Sequence, residues 1–191
     1  MGYSRAKRYV DLGLSIPIML LVALPVILIG ILVVMTSRGP IIHWSDRVGK
    51  DNILFKMPKF RTMVVETPKL ATHLLDEPEV WLTPVGPFLR KFSLDELPQL
   101  WSVIRGEMSL VGPRPALYNQ TDLIELRTSL GVHRITPGVT GWAQISGRDE
   151  LDIRAKVVLD TEYLLRRSLR MDFLIILKTF SKVLCSKDVS H

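Results

Sequence analysis

The stretch LGLSIPIMLLVALPVILIGILVVM, residues 12–35, contains no charged side chain. As a single helix it would be roughly 36 Å long, enough to cross the hydrocarbon core of a bilayer. Arg5, Lys7 and Arg8 precede it and Arg38, Arg47 and Lys50 follow it, so both flanks are basic and the positive-inside rule assigns no orientation. Pro17 and Pro25 interrupt the run, and an interior proline removes a helix hydrogen bond and collides with the preceding turn. A helix bent sharply at Pro25 enters and leaves the membrane on one face, which accounts for cations on both sides. An unbent helix spans, and a buried core helix is the third alternative. A cleaved signal peptide is disfavoured, because the run is too long and no small-residue site precedes Arg38-Gly39-Pro40.

The whole chain has 191 residues, 25 basic against 19 acidic, with 47% hydrophobic residues. It is too apolar for a disordered protein and long enough for a real core. One cysteine, Cys185, excludes an intrachain disulfide framework, and no Cys/His cluster has zinc-ligand spacing. A net charge of +6 fits nucleic acid, an anionic membrane surface or phosphorylated substrates. Nucleic acid explains neither the apolar run nor the carboxylate pair described below, and no nucleic-acid partner is expected.

Beyond Gly39-Pro40, residues 40–63 read as short strands around Val48-Gly49, and residues 66–87, with four prolines, as a loop with a short helix. Leu97, Leu100, Trp101 and Ile104 recur at helical spacing, which predicts an amphipathic helix over 95–105 stopped by Gly106. VGPRP (111–115) is a rigid loop, 118–130 a helix ended by Gly131, and 137–147 a glycine-rich loop. The last third, 149–184, is helical in pattern and suits either a membrane interface or a core with a solvated face. The fold class predicted is mostly α with small β elements (α+β): a membrane helix-break-helix over 1–37 and a compact domain over 38–191.

Within SLDELP, Ser93 and Glu96 fit the S-x-x-E capping box, a purely structural role. Asp95 and Glu96 also form a pair of adjacent carboxylates, directed about 100° apart, which can serve different chemical partners. A carboxylate that attacks a diphosphate meets anionic repulsion, so it needs Mg²⁺ and cations to neutralise the phosphoryl oxygens. Arg90, Arg61 in KFRTM and Arg114 between two prolines are candidates, with Lys59 after Pro58 a weaker one. In the second constellation, Pro137 to Arg148, glycines permit close backbone approach, Trp142 offers a stacking face, and Gln144 and Arg148 offer polar groups. By spacing alone this is equally a structural turn. The four histidines lack metal-ligand spacing.

Taken together, KRYVD (7–11), the proline-broken apolar run, KFRTM (59–63), SLDELPQLW (93–101), GEMSLVGPRP (106–115), PGVTGWAQISGR (137–148) and DTEYLLRRSLRMD (160–172) resemble the bacterial sugar transferases. These are the monotopic phosphoglycosyl transferases, here in the small, catalytic-domain form, and the resemblance runs in order along essentially the whole chain. It implies transfer of sugar-1-phosphate from a UDP-sugar to undecaprenyl phosphate, with release of UMP, as a first membrane step of glycoconjugate assembly. In the family's ping-pong scheme Asp95 becomes an aspartyl phosphosugar ester and also meets Mg²⁺. Glu96 assists the second half-reaction by taking a proton, and Lys59, Arg61, Arg90, Arg114, Gln144 and Arg148 grip substrate. The resemblance further implies a re-entrant hairpin, amphipathic interfacial helices and a catalytic domain on the cytoplasmic face of the bacterial inner membrane. Membrane lipids and downstream glycosyltransferases are the implied partners.

The chain departs from the family pattern at four places. Leu24-Pro25 replaces Ser-Pro at the helix break, Met57 replaces an aromatic, Ser45 a glutamine and Ser146 an asparagine. The competing function is a non-enzymatic membrane module that docks anionic lipid or an assembly partner. Glycoside hydrolysis needs two carboxyls facing each other across a bond, and adjacent residues suit that poorly.

Overall fold

The computed structural model describes residues 2–68, 77–147 and 151–185. The apolar run forms two helices, α1 (Tyr3–Leu21) and α2 (Ala23–Thr36), bent by 59° at their junction. The break falls at Val22, three residues before the proline expected to mark it. Pro25 sits in the first turn of α2, where its missing N–H is not needed, while its ring would collide with the Leu21 carbonyl of a continuous helix. Pro17, by contrast, is accommodated inside α1. Among the described residues no single helix is long and apolar enough to cross a membrane; only the bent pair together has that length and composition.

The next segment is an antiparallel hairpin of β1 (Ile42–Val48) and β2 (Leu54–Phe60), in which His43 faces Lys59, Ser45 faces Met57 and Arg47 faces Phe55. Because side chains alternate along a strand, Arg47, Met57 and Lys59 share one face. Asp51 and Asn52, at φ 55° and 60°, turn the hairpin in the left-handed region that short polar side chains tolerate. There follow α3 (Gly86–Lys91), a 3₁₀ turn (Leu94–Glu96) and α4 (Gln99–Arg105), which ends at Gly106 with φ 85° as the sequence predicts.

Strand β3 (Ser109–Val111) pairs in parallel with β4 (Gly138–Thr140), so the segment read as a loop over 137–147 instead contains a strand and a short helix, α6 (Trp142–Ser146). Between them lies α5 (Thr121–Ser129). A Cβ at Gly138 would stand 2.0 Å from the Gly112 nitrogen, so only glycine admits this backbone approach. The helical C-terminal third is two helices, α7 (Ile153–Arg166) and α8 (Leu169–Cys185), parted at Arg167-Ser168.

Small apolar clusters join these elements. Val33 of α2 packs with Phe60 and Leu89, and Leu94 of the 3₁₀ turn leans on them. Met57 packs with Val103 and Met108, so where the family has an aromatic the thioether fills a core gap. Val111, Ile135, Ile145, Tyr163 and Ile175 form the cluster under β3, α6, α7 and α8.

Polar contacts fasten α1 to this core. Arg8 donates to the carbonyls of Val103 and Ile104, both at 2.6 Å, where a cation complements the C-terminal end of α4. Asp11, 5% exposed, accepts from the Ser109 hydroxyl (2.8 Å) and the Leu110 N–H (3.1 Å). Asp11→Ala leaves two donors without their acceptor and should lower stability by about 2–3 kcal/mol, read from the urea midpoint in detergent. An unchanged midpoint would show that the remaining contacts of α1, those of Arg8 with α4 among them, hold the helix without Asp11.

Candidate active site

Asp95 and Glu96 occupy the 3₁₀ turn that leads into α4, entered through Ser93 at φ 53°. The Ser93 hydroxyl does not cap this turn, and the Glu96 carboxylate turns away from the backbone, so no capping box forms. Glu96 Oε1 instead accepts from Lys59 Nζ at 3.0 Å and from Arg114 Nη2 at 2.7 Å. One carboxylate thus ties β2, the dyad turn and the PRP loop together.

Asp95 is treated differently by its surroundings. Lys59 Nζ lies 3.9 Å from Asp95 Oδ2, an ion-pair distance beyond a hydrogen bond. Oδ1 is buried and has no hydrogen-bond partner among the described residues. An unpartnered buried carboxylate oxygen is costly and marks a position at which an electrophile or a cation can be received. The electrostatics follow this division. Burial pushes the Asp95 carboxyl above its usual range, against Lys59, Arg90 and Arg114. Burial would raise Glu96 too, but Arg114 and Lys59 outweigh it and hold Glu96 well below the usual carboxylate range.

The cations crowd one another. Burial lowers Lys59, and Glu96 opposes that shift. Burial, with Arg114 nearby, brings Arg47 down to about 10. Arg90, lowered by burial, donates from Nε to Thr62 Oγ1 at 3.0 Å and interacts electrostatically with Asp95. Four cations, Arg47, Lys59, Arg90 and Arg114, stand against two carboxylates, an excess of two positive charges with every group ionised. An anion with two or more charges complements such a cluster.

Arg47 appeared in the sequence only as a flanking cation. The strand register places it on the face of Lys59, and it donates to Ser45 Oγ (3.0 Å) and to the Pro115 carbonyl (3.1 Å). Ser45, where the family often has glutamine, therefore serves as an acceptor for this arginine. Arg127 of α5 was missed as well. It bonds Asp160 of α7 through Nε (3.0 Å) and Nη2 (2.6 Å), and it donates from Nη1 to the Arg114 carbonyl (2.8 Å). Two arginines thus hold the main chain of the PRP loop, and only the loop's own arginine reaches Glu96.

Other expected residues lie apart from this cluster. Arg61, 4% exposed, donates through Nη2 to the Ser37 carbonyl (2.7 Å) and hydroxyl (2.8 Å), which ties the end of α2 to β2. Gln144 donates to the Val139 carbonyl at 3.3 Å, within its own turn. Trp142 does not offer an open stacking face, since its indole N–H donates to Glu162 (2.8 Å) and Lys178 lies 5.6 Å over its ring. Glycines of this segment serve backbone packing: Gly138 N–H donates to the Pro113 carbonyl and Gly112 N–H to the Thr140 carbonyl. Arg148 lies outside the described residues.

Residues 2–186 match the family described as Bacterial sugar transferase. The chain belongs to this family. It is 37% identical over 193 residues to an undecaprenyl-phosphate glucose phosphotransferase of Komagataeibacter xylinus, covering 95% of this chain and 36% of that protein. It is 38% identical over 190 residues to the UDP-glucose:undecaprenyl-phosphate glucose-1-phosphate transferase of Escherichia coli, covering 95% and 40%. With exopolysaccharide production protein ExoY of Rhizobium meliloti it shares 38% over 199 residues, covering 95% and 87%. The chain thus spans about two fifths of the first two relatives and most of the third. Along this chain the dyad, β2 and the PRP loop come from separate parts of the sequence.

The Arg127–Asp160 pair gives a direct test of how the loop is held. Arg127→Met leaves Asp160 buried without its cation and should cost about 3–5 kcal/mol in denaturant unfolding. The double variant Arg127→Met/Asp160→Leu removes both charges and should recover at least about half of that loss. Equal losses in both variants would mean that the bond to the Arg114 carbonyl, and not the ion pair, dominates.

Proposed function

We propose that the chain is a phosphoglycosyl transferase that moves sugar-1-phosphate from a UDP-sugar to undecaprenyl phosphate. The observation that carries this reading is the asymmetry of the dyad: Glu96 Oε1 is bound by both Lys59 and Arg114, while Asp95 Oδ1 is buried without a partner among the described residues. The names of the relatives supply the substrate classes, undecaprenyl phosphate in two and UDP-glucose in one.

In the first half-reaction a carboxylate oxygen of Asp95 attacks the phosphorus that bears the sugar. The bond from that phosphorus to the bridging oxygen breaks, UMP leaves with the electron pair, and an aspartyl phosphosugar ester remains. In the second, a phosphate oxygen of undecaprenyl phosphate attacks the same phosphorus, and the Asp95 carboxylate departs unchanged. Once ionised, an aspartate needs no base to become a nucleophile, and Lys59, Arg90 and Arg114 favour the ionised form of Asp95 against its burial. Arg47, Lys59, Arg90 and Arg114 offset the repulsion between anions and hold the phosphoryl groups. Glu96, at a depressed pKa and bound to two cations, is a weak proton acceptor, and its part is to aim Lys59 and Arg114.

Asp95, whose buried Oδ1 is a hard oxygen ligand, would hold Mg²⁺. Bound there, the ion would supply neutralisation of charge on the diphosphate.

The membrane reading rests on exposed apolar surface. Leu20, Leu21, Leu24 and Ile27 on the bent pair are between 59% and 80% exposed, and Phe173, Leu177 and Phe180 line one side of α8. Contiguous surface of this kind marks a membrane or partner contact. We read α1 and α2 as a re-entrant hairpin and α8 as an interfacial helix, with the catalytic domain on the cytoplasmic face of the inner membrane.

Purified full chain with Mg²⁺, undecaprenyl phosphate and a panel of UDP-sugars should release UMP with one or more donors, and Asp95→Asn should slow this by about 10³-fold or more. Donor labelled in the sugar-bearing phosphate should label the wild-type protein in the absence of undecaprenyl phosphate. Turnover without such labelling would replace the covalent route by direct transfer, and no UMP from any donor would remove the transferase reading. In a Cys185→Ser background, cysteines introduced at Ser4 and Ile53 should react from the same side of sealed vesicles. Labelling from opposite sides would make the bent pair a spanning element.

A further inference from the structure

A second cationic cleft lies at the other end of α4. The dyad precedes the N-terminus of that helix, whereas Arg8 caps its C-terminus, so the two places are roughly 15 Å apart along the axis. The cleft, ≈ 660 Å³ with its open mouth, is lined by Lys7, Arg8, Lys50, Arg134 and Arg167, with Asp11 as its one acidic lining residue.

Its inner groups are already engaged. Lys7 Nζ is bound to Asp172 Oδ2 at 2.8 Å, Arg8 to the two carbonyls of α4, and Asp11 to Ser109 and Leu110. The outer three differ. Lys50 stands in the β1–β2 turn, Arg134 in the 3₁₀ turn Val132–Arg134, and Arg167 just after α7, where its guanidinium lies 5.8 Å over the Tyr3 ring. None of the three has a carboxylate within ion-pair distance among the described residues. Three separate turns bring like charges to one opening, an arrangement that repels itself until an anion enters. Ser4 and Thr136 on the same walls provide hydroxyl donors.

We propose that this cleft is a phosphoryl-anion site distinct from the dyad, filled by the headgroup of an acidic phospholipid or by a soluble phosphate ester. Its setting favours the lipid. The apolar run of α1 begins at Leu12, one turn beyond Lys7 and Arg8, and Asp172 of α8, which carries the exposed Phe173 and Leu177, is bonded to Lys7. A headgroup bound here would fix the depth at which the bent pair and α8 sit together. Anion binding at this cleft does not depend on the chemistry of Asp95, and it is read by binding rather than by turnover.

Full-length protein in neutral detergent is titrated calorimetrically with dihexanoyl phosphatidylglycerol, dihexanoyl phosphatidylcholine and glycerol 3-phosphate. The wild type should bind the phosphatidylglycerol at least about tenfold more tightly than the phosphatidylcholine. Each cation near an acidic headgroup contributes about fivefold in affinity, so K50Q/R134Q/R167Q should bind of the order of 100-fold more weakly. K50R/R134K/R167K, which keeps the charges, should retain binding, and R154Q, an exposed cation outside the cleft, should leave it unchanged. Phosphatidylglycerol well above glycerol 3-phosphate supports the site with a lipid as its ligand, and equal binding of the two supports it with a soluble ester. Undiminished binding in the triple glutamine variant, or equal affinity for the choline lipid, overturns the proposal.

Discussion

The contact on which the site depends is the double engagement of Glu96 Oε1 by Lys59 and Arg114. A mostly buried carboxylate that accepts from two cations stays ionised and holds both side chains in place, while its neighbour Asp95 is left with an open oxygen. Of two adjacent carboxylates, one is therefore bound to two cations and the other keeps an unpartnered oxygen. The separation follows from their positions on a single 3₁₀ turn, which directs consecutive side chains to different partners.

That turn is supported from the side of the bent helix pair. Leu94, next to Asp95, packs on the cluster of Val33, Phe60 and Leu89, and Arg61 bonds the end of α2 to the strand that carries Lys59. The bent apolar pair is thus packed against the elements that carry the dyad and Lys59. The opposite side is held by charge: Arg47 and Arg127 grip the carbonyls of Pro115 and Arg114, and Asp160 anchors Arg127. The dyad lies between an apolar support and a polar one, so displacement of α2 or of the PRP loop changes the reach of Lys59 or Arg114.

Much of the architecture was legible in residue patterns, for local reasons. Gly106 ends α4, Gly131 follows α5, and the hairpin around Val48-Gly49 forms, because backbone dihedrals and periodicity act within a few residues. The misplaced break at Val22 is also local, since a proline acts on the turn before it and not at its own position. Asp95, Glu96, Lys59 and Arg114 were readable as candidates because carboxylates and prolines in SLDELP and GPRP make unusual combinations. Arg47 and Arg127 carried no such mark. Their importance lies in which carbonyl each reaches, and those carbonyls are 68 and 13 residues away in the chain.

By itself the sequence determined that this chain has a proline-broken apolar segment, an excess of cations and a carboxylate pair, along with the family to which that combination belongs. These follow from composition and short-range chemistry, which need no fold. Only the tertiary structure decided that Glu96 is bound to two cations while Asp95 keeps an unpartnered oxygen, that Arg61 serves α2 and not the dyad, and that the glycines of PGVTG pack backbone against backbone. The physical reason is that a charged group's role depends on its burial and on which partner comes within about 3 Å. Both are products of long-range packing.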